Sequence, residues 1–172
     1  MREFMKIVEN ELTEVEMIDD FGDDGYQMER VFTRWAAEAR FTTVVGDING
    51  YQLRYTDEAG RSMFYLVKDG ECVGKATVIQ ATGLENTVTV SHIAILPKHR
   101  RLGLGIGIYE HVLKSSDIVS DYDQTRFGRA IWQEIARRHV VRPLEIDYSL
   151  GQPITDTDPV YGTRARMVAS LA

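Results

Sequence analysis

In the stretch PKHRRLGLGIGIYEHVL, Pro97 to Leu113, Arg100 and Arg101 run into Gly103, Gly105 and Gly107. Those glycines lead without a break into Ile108, Tyr109, Val112 and Leu113, which are spaced as on a helix. Glycine is costly inside or beside a helix, so something must require it here. A strand that stops, a loop of amides and a helix start together make an anion site. The first N–H groups of a helix have no internal partner, and its dipole is positive at that end. Glycines let the backbone close round a phosphate without a Cβ in the way, and positive φ angles aim successive amides at it. Arg100 and Arg101 add charge where a dianion would sit. The chemistry implied is pyrophosphate binding.

Motif spacing narrows the choice. A P-loop needs G-x-x-x-x-G-K-[ST], and no Lys-Ser or Lys-Thr follows these glycines. A dinucleotide fingerprint needs a third glycine where Ile108 stands, and a parallel βαβ unit around it. Neither fits.

The elements that must position this loop read clearly. In YQMERVFTRWAAEAR, residues Met28, Val31, Phe32, Trp35, Ala36 and Ala39 form one apolar helical stripe. From Phe41 the period changes to short β-branched and aromatic runs: FTTVVGDI, YQLRYT, SMFYLV, CVGKATVIQA and TVTVSHIAIL. Turn residues separate them, and Asp69-Gly70 is the signature of a two-residue type I′ hairpin. This predicts an antiparallel meander. Beyond the loop and its helix, DIVSD reads as a short strand. DQTRFGRAIWQEIARRH reads as a helix with Phe127, Ile131 and Ile135 inside, and VVRPLEIDYSL and TRARMVAS as closing strands. The acidic run ELTEVEMIDDFGDDG reads as a solvated helix face followed by a loop. The order predicts one α+β domain over residues 1–172.

Composition bounds the function. Twenty basic against 26 acidic residues give a net charge of −6, which argues against a general nucleic-acid binder and favours small molecules or cationic amines as partners. The lone Cys72 excludes an internal disulfide and a thiolate metal site, and its strand-like surroundings predict a buried thiol. The four histidines show no metal spacing. No apolar run has the length of a membrane span, and the N-terminus lacks a signal-peptide core. These features predict a cytoplasmic protein, of a bacterium or of an infected host cell.

PKHRRLGLG resembles the acetyl-CoA loop of the GNAT superfamily of N-acetyltransferases, whose pattern is R/Q-x-x-G-x-G/A after a strand. Arg100, Gly103 and Gly105 occupy the pattern and Ile95-Leu96-Pro97 the strand end. FYLVKDGECVGKATVIQ is similar to that family's central hairpin, and the order of elements matches from about Tyr26 to His139. The resemblance implies a GNAT-like acyl-CoA N-acyltransferase fold, a central, mostly antiparallel mixed sheet flanked by helices. It implies that amides around Arg101, Gly103, Gly105 and Ile106 hold the CoA pyrophosphate. It implies also that the pantetheine arm pairs with the strand ending near Ile95. Gly107 lies outside the pattern, and packing is its expected role. An N–H of that strand would polarise the thioester carbonyl, and an amine acceptor, small molecule or protein, would attack directly. Homodimers are common for the fold. SDYDQTRFGRAIW is similar to acetyltransferase-like proteins of phage genomes, which opens a virion or host-modifying role, and Trp132 in the proton-donor register gives the alternative of an inactive binding or virion component.

Two proton transfers then need carriers. The family's proton-donating Tyr register falls on Thr125-x-x-Gly128-x-x-x-Trp132, and Trp132 cannot serve. Tyr122 and Tyr109 are the nearest substitutes. His92 is the candidate base, with Glu85 and Glu110 behind it, or a water chain. Strict alternation puts Ser91, Ile93 and Ile95 on one strand face and His92 on the other. His99 is expected to flank the loop and His111 to lie on the solvent side of the helix.

Overall fold

The computed structural model describes residues 25–120, 126–143, 146–147, 152–153 and 167–170. Helix α1 (Gly25–Ala39) leads into five consecutive strands, β1 (Thr43–Ile48), β2 (Tyr51–Glu58), β3 (Arg61–Lys68), β4 (Glu71–Gln80) and β5 (Thr87–Ile95). A 3-10 turn (Pro97–His99) precedes α2 (Leu104–Leu113), followed by β6 (Asp117–Val119), α3 (Arg126–Arg138) and β7 (Val140–Pro143). The two-residue strands β8 (Ile146–Asp147) and β9 (Gln152–Pro153) pair with each other, and β10 (Met167–Ser170) closes the main sheet. Its order is β1-β2-β3-β4-β5-β6-β10-β7, antiparallel throughout except between β5 and β6.

The meander forms because its turns have the right chemistry. Asn49-Gly50, Ala59-Gly60 and Asp69-Gly70 all hold positive φ at both central residues, the geometry whose twist matches the flanking strands. Asp69-Gly70 therefore makes the predicted hairpin. The acidic run before Gly25 lies outside the described residues.

Each face of the sheet buries a different helix set. Val31, Phe32, Trp35 and Ala39 of α1 pack on Tyr65, Cys72 and Ala94, as the apolar stripe predicted; the Met28 side chain is outside the described set. On the other face α2 and α3 cover Leu53, Leu66, Val73, Ala76 and Val78 with Ile108, Val112, Trp132 and Ile135. Ile135 is fully buried and Ile131 packs at the edge of that core, as predicted, while the Phe127 side chain is outside the described set. Full burial of a side chain such as Ile108 is worth roughly 1.5–3 kcal/mol, so these two stripes hold the helices to the sheet.

Two irregularities interrupt the central strands. Leu66 faces Gly74 and Val67 faces Cys72, so Val73 is an extra residue in β4. Thr77 faces His92 and Val78 faces Val90, so Ser91 is an extra residue in β5.

Candidate active site

The site forms where β5 loses its neighbour. β6 meets β5 only at Thr87 and Val88, and the two parallel strands part beyond that point. Leu96 N–H donates to the Val73 carbonyl at 2.9 Å, which makes that couple a hydrogen-bonded pair. Antiparallel ladders alternate bonded and non-bonded pairs. Ile95 opposite Gly74, and Ile93 opposite Ala76, are therefore non-bonded positions whose N–H and C=O groups point away from β4. They point along the edge that β6 leaves uncovered. Arg100 Nε donates to the Ile95 carbonyl at 2.8 Å, so its guanidinium joins the strand end to the loop.

The loop itself is held in a special conformation. His99 and Arg100 N–H groups close the 3-10 turn onto Leu96 and Pro97 at 2.9 and 3.2 Å. Arg101 and Gly103 then adopt φ of 62° and 74°, in the left-handed region. The first bond within α2 runs from Gly107 N–H to the Gly103 carbonyl, 3.0 Å. The amides of Leu104, Gly105 and Ile106 are thus left without an intrahelical acceptor at the positive end of the helix. The turn between β1 and β2 braces the loop from the side. Asn49 Nδ2 donates to the Leu102 carbonyl at 2.8 Å, and Tyr51 Oη shares a 2.8 Å hydrogen bond with His99 Nδ1.

The three glycines have different reasons to lack a Cβ. At Gly103 the left-handed φ is the requirement, and a Cβ would also stand 3.3 Å from Asn49 Nδ2. At Gly105 a Cβ would press to 3.1 Å on Ile131 Cδ1, toward α3 and away from the helix end. At Gly107 it would overlap Ile48 Cγ2 of β1. Gly107 packs, as expected. Gly105 also packs, through its Cα side, while its amide stays among the unpartnered three.

Residues 21–117, more than half the chain, match the family model described as Acetyltransferase (GNAT) family. The chain belongs to the GNAT acetyltransferase family. It has the GNAT acyl-CoA N-acyltransferase fold, a mixed, mostly antiparallel sheet with three α-helices among the described residues. Among solved structures it is similar to a GNAT family acetyltransferase from Elizabethkingia anophelis with acetyl-CoA bound. That match has 10% identity and a TM-score of 0.45, covering 73% of this chain and 100% of that one. It is similar to the ribosomal-protein-S18-alanine N-acetyltransferase from Escherichia coli, with 16% identity, a TM-score of 0.40, and 67% and 74% of the two chains covered. It is similar also to a Bacillus subtilis acetyltransferase in complex with CoA, with 14% identity, a TM-score of 0.43, and 66% and 78% covered. No curated protein sequence matches it.

Within this GNAT domain, Ile95, Arg100, Arg101, Gly103, Gly105 and Ile106 gather at the junction of β5 and α2. Ile93 and Leu104 join them and were not legible, because the pairing state of a strand edge is a property of its neighbours. His92 lies one strand position from Ile93, with its side chain on the opposite, α1 face. The bulge corrects strict alternation at Ser91. Val88 and Val90 before it, and Ile93 and Ile95 after it, all pack with the α2 and α3 core, while Ser91 Oγ donates to the Thr77 carbonyl at 3.3 Å.

His92 Nε2 is buried without a hydrogen-bond partner, and burial, with Lys75 nearby, pushes its pKa down to about 4. It is neutral at physiological pH. Tyr122 lies outside the described residues. Tyr109 is buried at 4% exposure with its ring edge-on to Trp132 at 6.1 Å, so both fill the core. Glu110 is held by Arg138 at 3.1 Å and His139 at 3.5 Å, on the α3 side. Glu85 precedes β5, about 30 Å along the strand from its open end. His111 corrects its expected solvent position: it is half-buried against Gly46 and the Phe64 ring, and burial lowers its pKa.

A buried polar cluster beneath α1 was not anticipated. Lys75 Nζ, 7% exposed as a residue, pairs with Glu38 Oε2 at 3.1 Å and lies over the Trp35 and Tyr65 rings. Tyr65 Oη donates to the same carboxylate oxygen at 2.9 Å, and burial raises its pKa, so it stays protonated. Cys72, on the same face, is buried as predicted, and its pKa is pushed up to about 11, which keeps it a thiol.

Proposed function

We propose that the protein is an acetyl-CoA-dependent N-acetyltransferase that transfers an acetyl group directly to an amine. One observation carries this reading: the open edge of β5 ends at a helix start with three unpartnered amides, so a strand-like arm and an anionic head can be held in line. The Cβ-free, left-handed Gly103 and the amides of Leu104, Gly105 and Ile106 fit a pyrophosphate. Arg101 adds its charge at the loop surface. The N–H and C=O of Ile93 and the N–H of Ile95 fit the amide groups of a pantetheine arm, and the N–H nearer the thioester polarises its carbonyl.

Acetyl-CoA supplies an activated acyl group when bound. The chain's residues supply position and proton traffic. His92, neutral at pH 7, presents Nε2 as a hydrogen-bond acceptor to an incoming amine. Tyr122 remains the proposed donor to the leaving thiolate. The acceptor is the amine of a small molecule or protein, and the compartment is the cytoplasm of a bacterium or infected host. No described helix is long and apolar enough to cross a membrane.

A second reading has its own observation. Trp132 fills the register of a proton donor and is buried in the core at 4% exposure, as is Tyr109. That arrangement suits a GNAT domain retained for binding, as a structural or virion component. Titrating acetyl-CoA while following thermal unfolding tests the first reading, since a ligand at a hundredfold its Kd stabilises by ~2.7 kcal/mol. No shift would refute it. A shift without thiol release across an amine panel would favour the second.

A further inference from the structure

Arg100 follows β5 in sequence yet bonds back to it. The 3-10 turn reverses the chain, with His99 N–H on the Leu96 carbonyl at 2.9 Å and Arg100 N–H on the Pro97 carbonyl at 3.2 Å. Arg100 then takes an extended backbone, φ −73° and ψ 162°. Its half-buried side chain returns to the strand, where Nε donates to the Ile95 carbonyl at 2.8 Å. Motif spacing reads this arginine as charge for a phosphate. The structure places its Nε on a backbone oxygen five residues upstream.

That oxygen matters because of the edge it lies on. Ile93 and Ile95 direct their N–H and C=O groups away from β4, toward the edge that β6 leaves uncovered among the described residues. Equal pairs of groups on one strand edge recur every two residues, about 6.7 Å apart. Alternating side chains normally choose between such registers. A pantetheine arm has none, so β5 by itself offers it two positions one step apart. The α2 amides fit the anionic head, but a flexible run of bonds joins head to arm and leaves the step open. A slip of one step moves the thioester by about 6.7 Å. A misplacement of about 1 Å can already cost roughly a hundredfold in rate. The guanidinium removes the ambiguity. A charged donor binds a carbonyl about twice as strongly as a neutral amide does, so an N–H of the arm cannot displace it from Ile95 without a net loss. That leaves the Ile93 carbonyl to the arm.

We propose that Arg100 is a positioning residue: by holding the Ile95 carbonyl, it sets the register of the acyl arm on Ile93. The proposal rests on the acyltransferase reading for the use of that register, but the register itself needs only that CoA binds along β5.

Two variants separate the donor from the charge. Arg100→Gln and Arg100→Met both lose the charge. Glutamine carries an N–H donor the same number of bonds from Cα as Nε, and methionine carries a methyl group there. Amide hydrogen exchange of the labelled protein is followed with and without CoA, alongside calorimetric titration of CoA and urea unfolding. CoA is expected to protect the Ile93 amide in the wild type and in Arg100→Gln. In Arg100→Met the vacated Ile95 carbonyl competes for the arm. Protection of Ile93 should then fall by roughly twofold to tenfold, the weight of one neutral hydrogen bond, with CoA affinity within about twofold of Arg100→Gln. In turnover assays kcat should fall by the same factor from the Gln to the Met variant, with KM for acetyl-CoA unchanged. Arg100→Ala also lacks the donor, so it should match Arg100→Met, and it takes its place should the Met variant not fold. Equal protection of Ile93 with and without the donor would overturn the register and leave the acyltransferase reading standing. A loss of protection as expected, without thiol release from acetyl-CoA with any amine, would defeat the acyltransferase reading and leave the register standing. An Ile93 amide that CoA leaves unprotected in the wild type would overturn both.

Discussion

Gly105 offers a clean separation of backbone from packing. Its Cα side faces Ile131 while its amide, at the second helical position, has no intrahelical acceptor. Gly105→Ala adds a Cβ at 3.1 Å from Ile131 Cδ1, the far end of a flexible side chain, and keeps the N–H. Gly105→Pro adds the same Cβ and deletes the N–H, which the first turn of a helix tolerates because no bond within the helix is lost. The pair therefore tests that amide, the proline ring carbon that replaces its hydrogen being the other difference. A hydrogen bond to a charged group is worth about 1.5–3 kcal/mol, so CoA should bind the Pro variant roughly tenfold to a hundredfold more weakly than the Ala variant. The assay is calorimetric titration of CoA into each variant, with urea unfolding to confirm that both remain folded. Equal CoA affinity in the two variants would refute the assignment of the α2 amides to the pyrophosphate.

Three further outcomes follow from the same geometry. Because burial depresses the pKa of His92 from 6.5 to about 4, the unfolded chain binds a proton that the native chain refuses between those values, so stability falls as pH drops through that window. His92→Gln should flatten the urea-midpoint profile between pH 6.5 and 4, by up to about 3 kcal/mol at the acid end; an unchanged profile would place His92 in contact with solvent. Lys75→Met removes a positive charge that helps to depress His92, so the imidazole pKa read by NMR should rise, and a fall would refute the proximity. Gly107→Val should destabilise by ~1–3 kcal/mol through overlap with Ile48, and adding Ile48→Ala should recover part of the loss in urea melts.

The meander, the α1 stripe and the loop were legible because each is written locally. Period-two runs need only the right turn residues between them, and Asn49-Gly50 and Asp69-Gly70 supply positive φ without help from the rest of the fold. What was not legible depends on pairing between distant residues. Ser91 carries no mark of a bulge in its own sequence; the extra residue exists only relative to Thr77 and Val78 on β4. The glycine pattern reads the same whether a Cβ is excluded by a ligand or by Ile131 and Ile48, so Gly103, Gly105 and Gly107 could not be told apart by motif alone. His111 was misplaced for a similar reason, since its helix face meets Gly46 and Phe64 of other strands. The buried Lys75 escaped notice because Glu38, Tyr65 and Lys75 meet only once the sheet is assembled.

The loop between β5 and α2 shows how these distant contacts bear on function. A non-glycine residue in the left-handed region costs ~1–2 kcal/mol, and Arg101 sits there at φ 62°. Glycine at that position would remove the cost, so the strain must be carried by the surroundings. Three ties from three directions do so: Asn49 on the Leu102 carbonyl, Tyr51 on His99, and Arg100 on Ile95. Each fixes a group flanking the strained residue, and together they leave the loop little freedom to relax when no ligand is present. Its amides are consequently aimed before binding, and the ordering cost that a glycine-rich loop would otherwise meet on binding is met during folding instead. The two glycines that complete the motif lie after the strained residue, where the helix begins and close approach matters. Conformational freedom is thus spent at Gly103 alone, and the rest of the loop owes its shape to side chains of β2, the turn before it, and the loop itself.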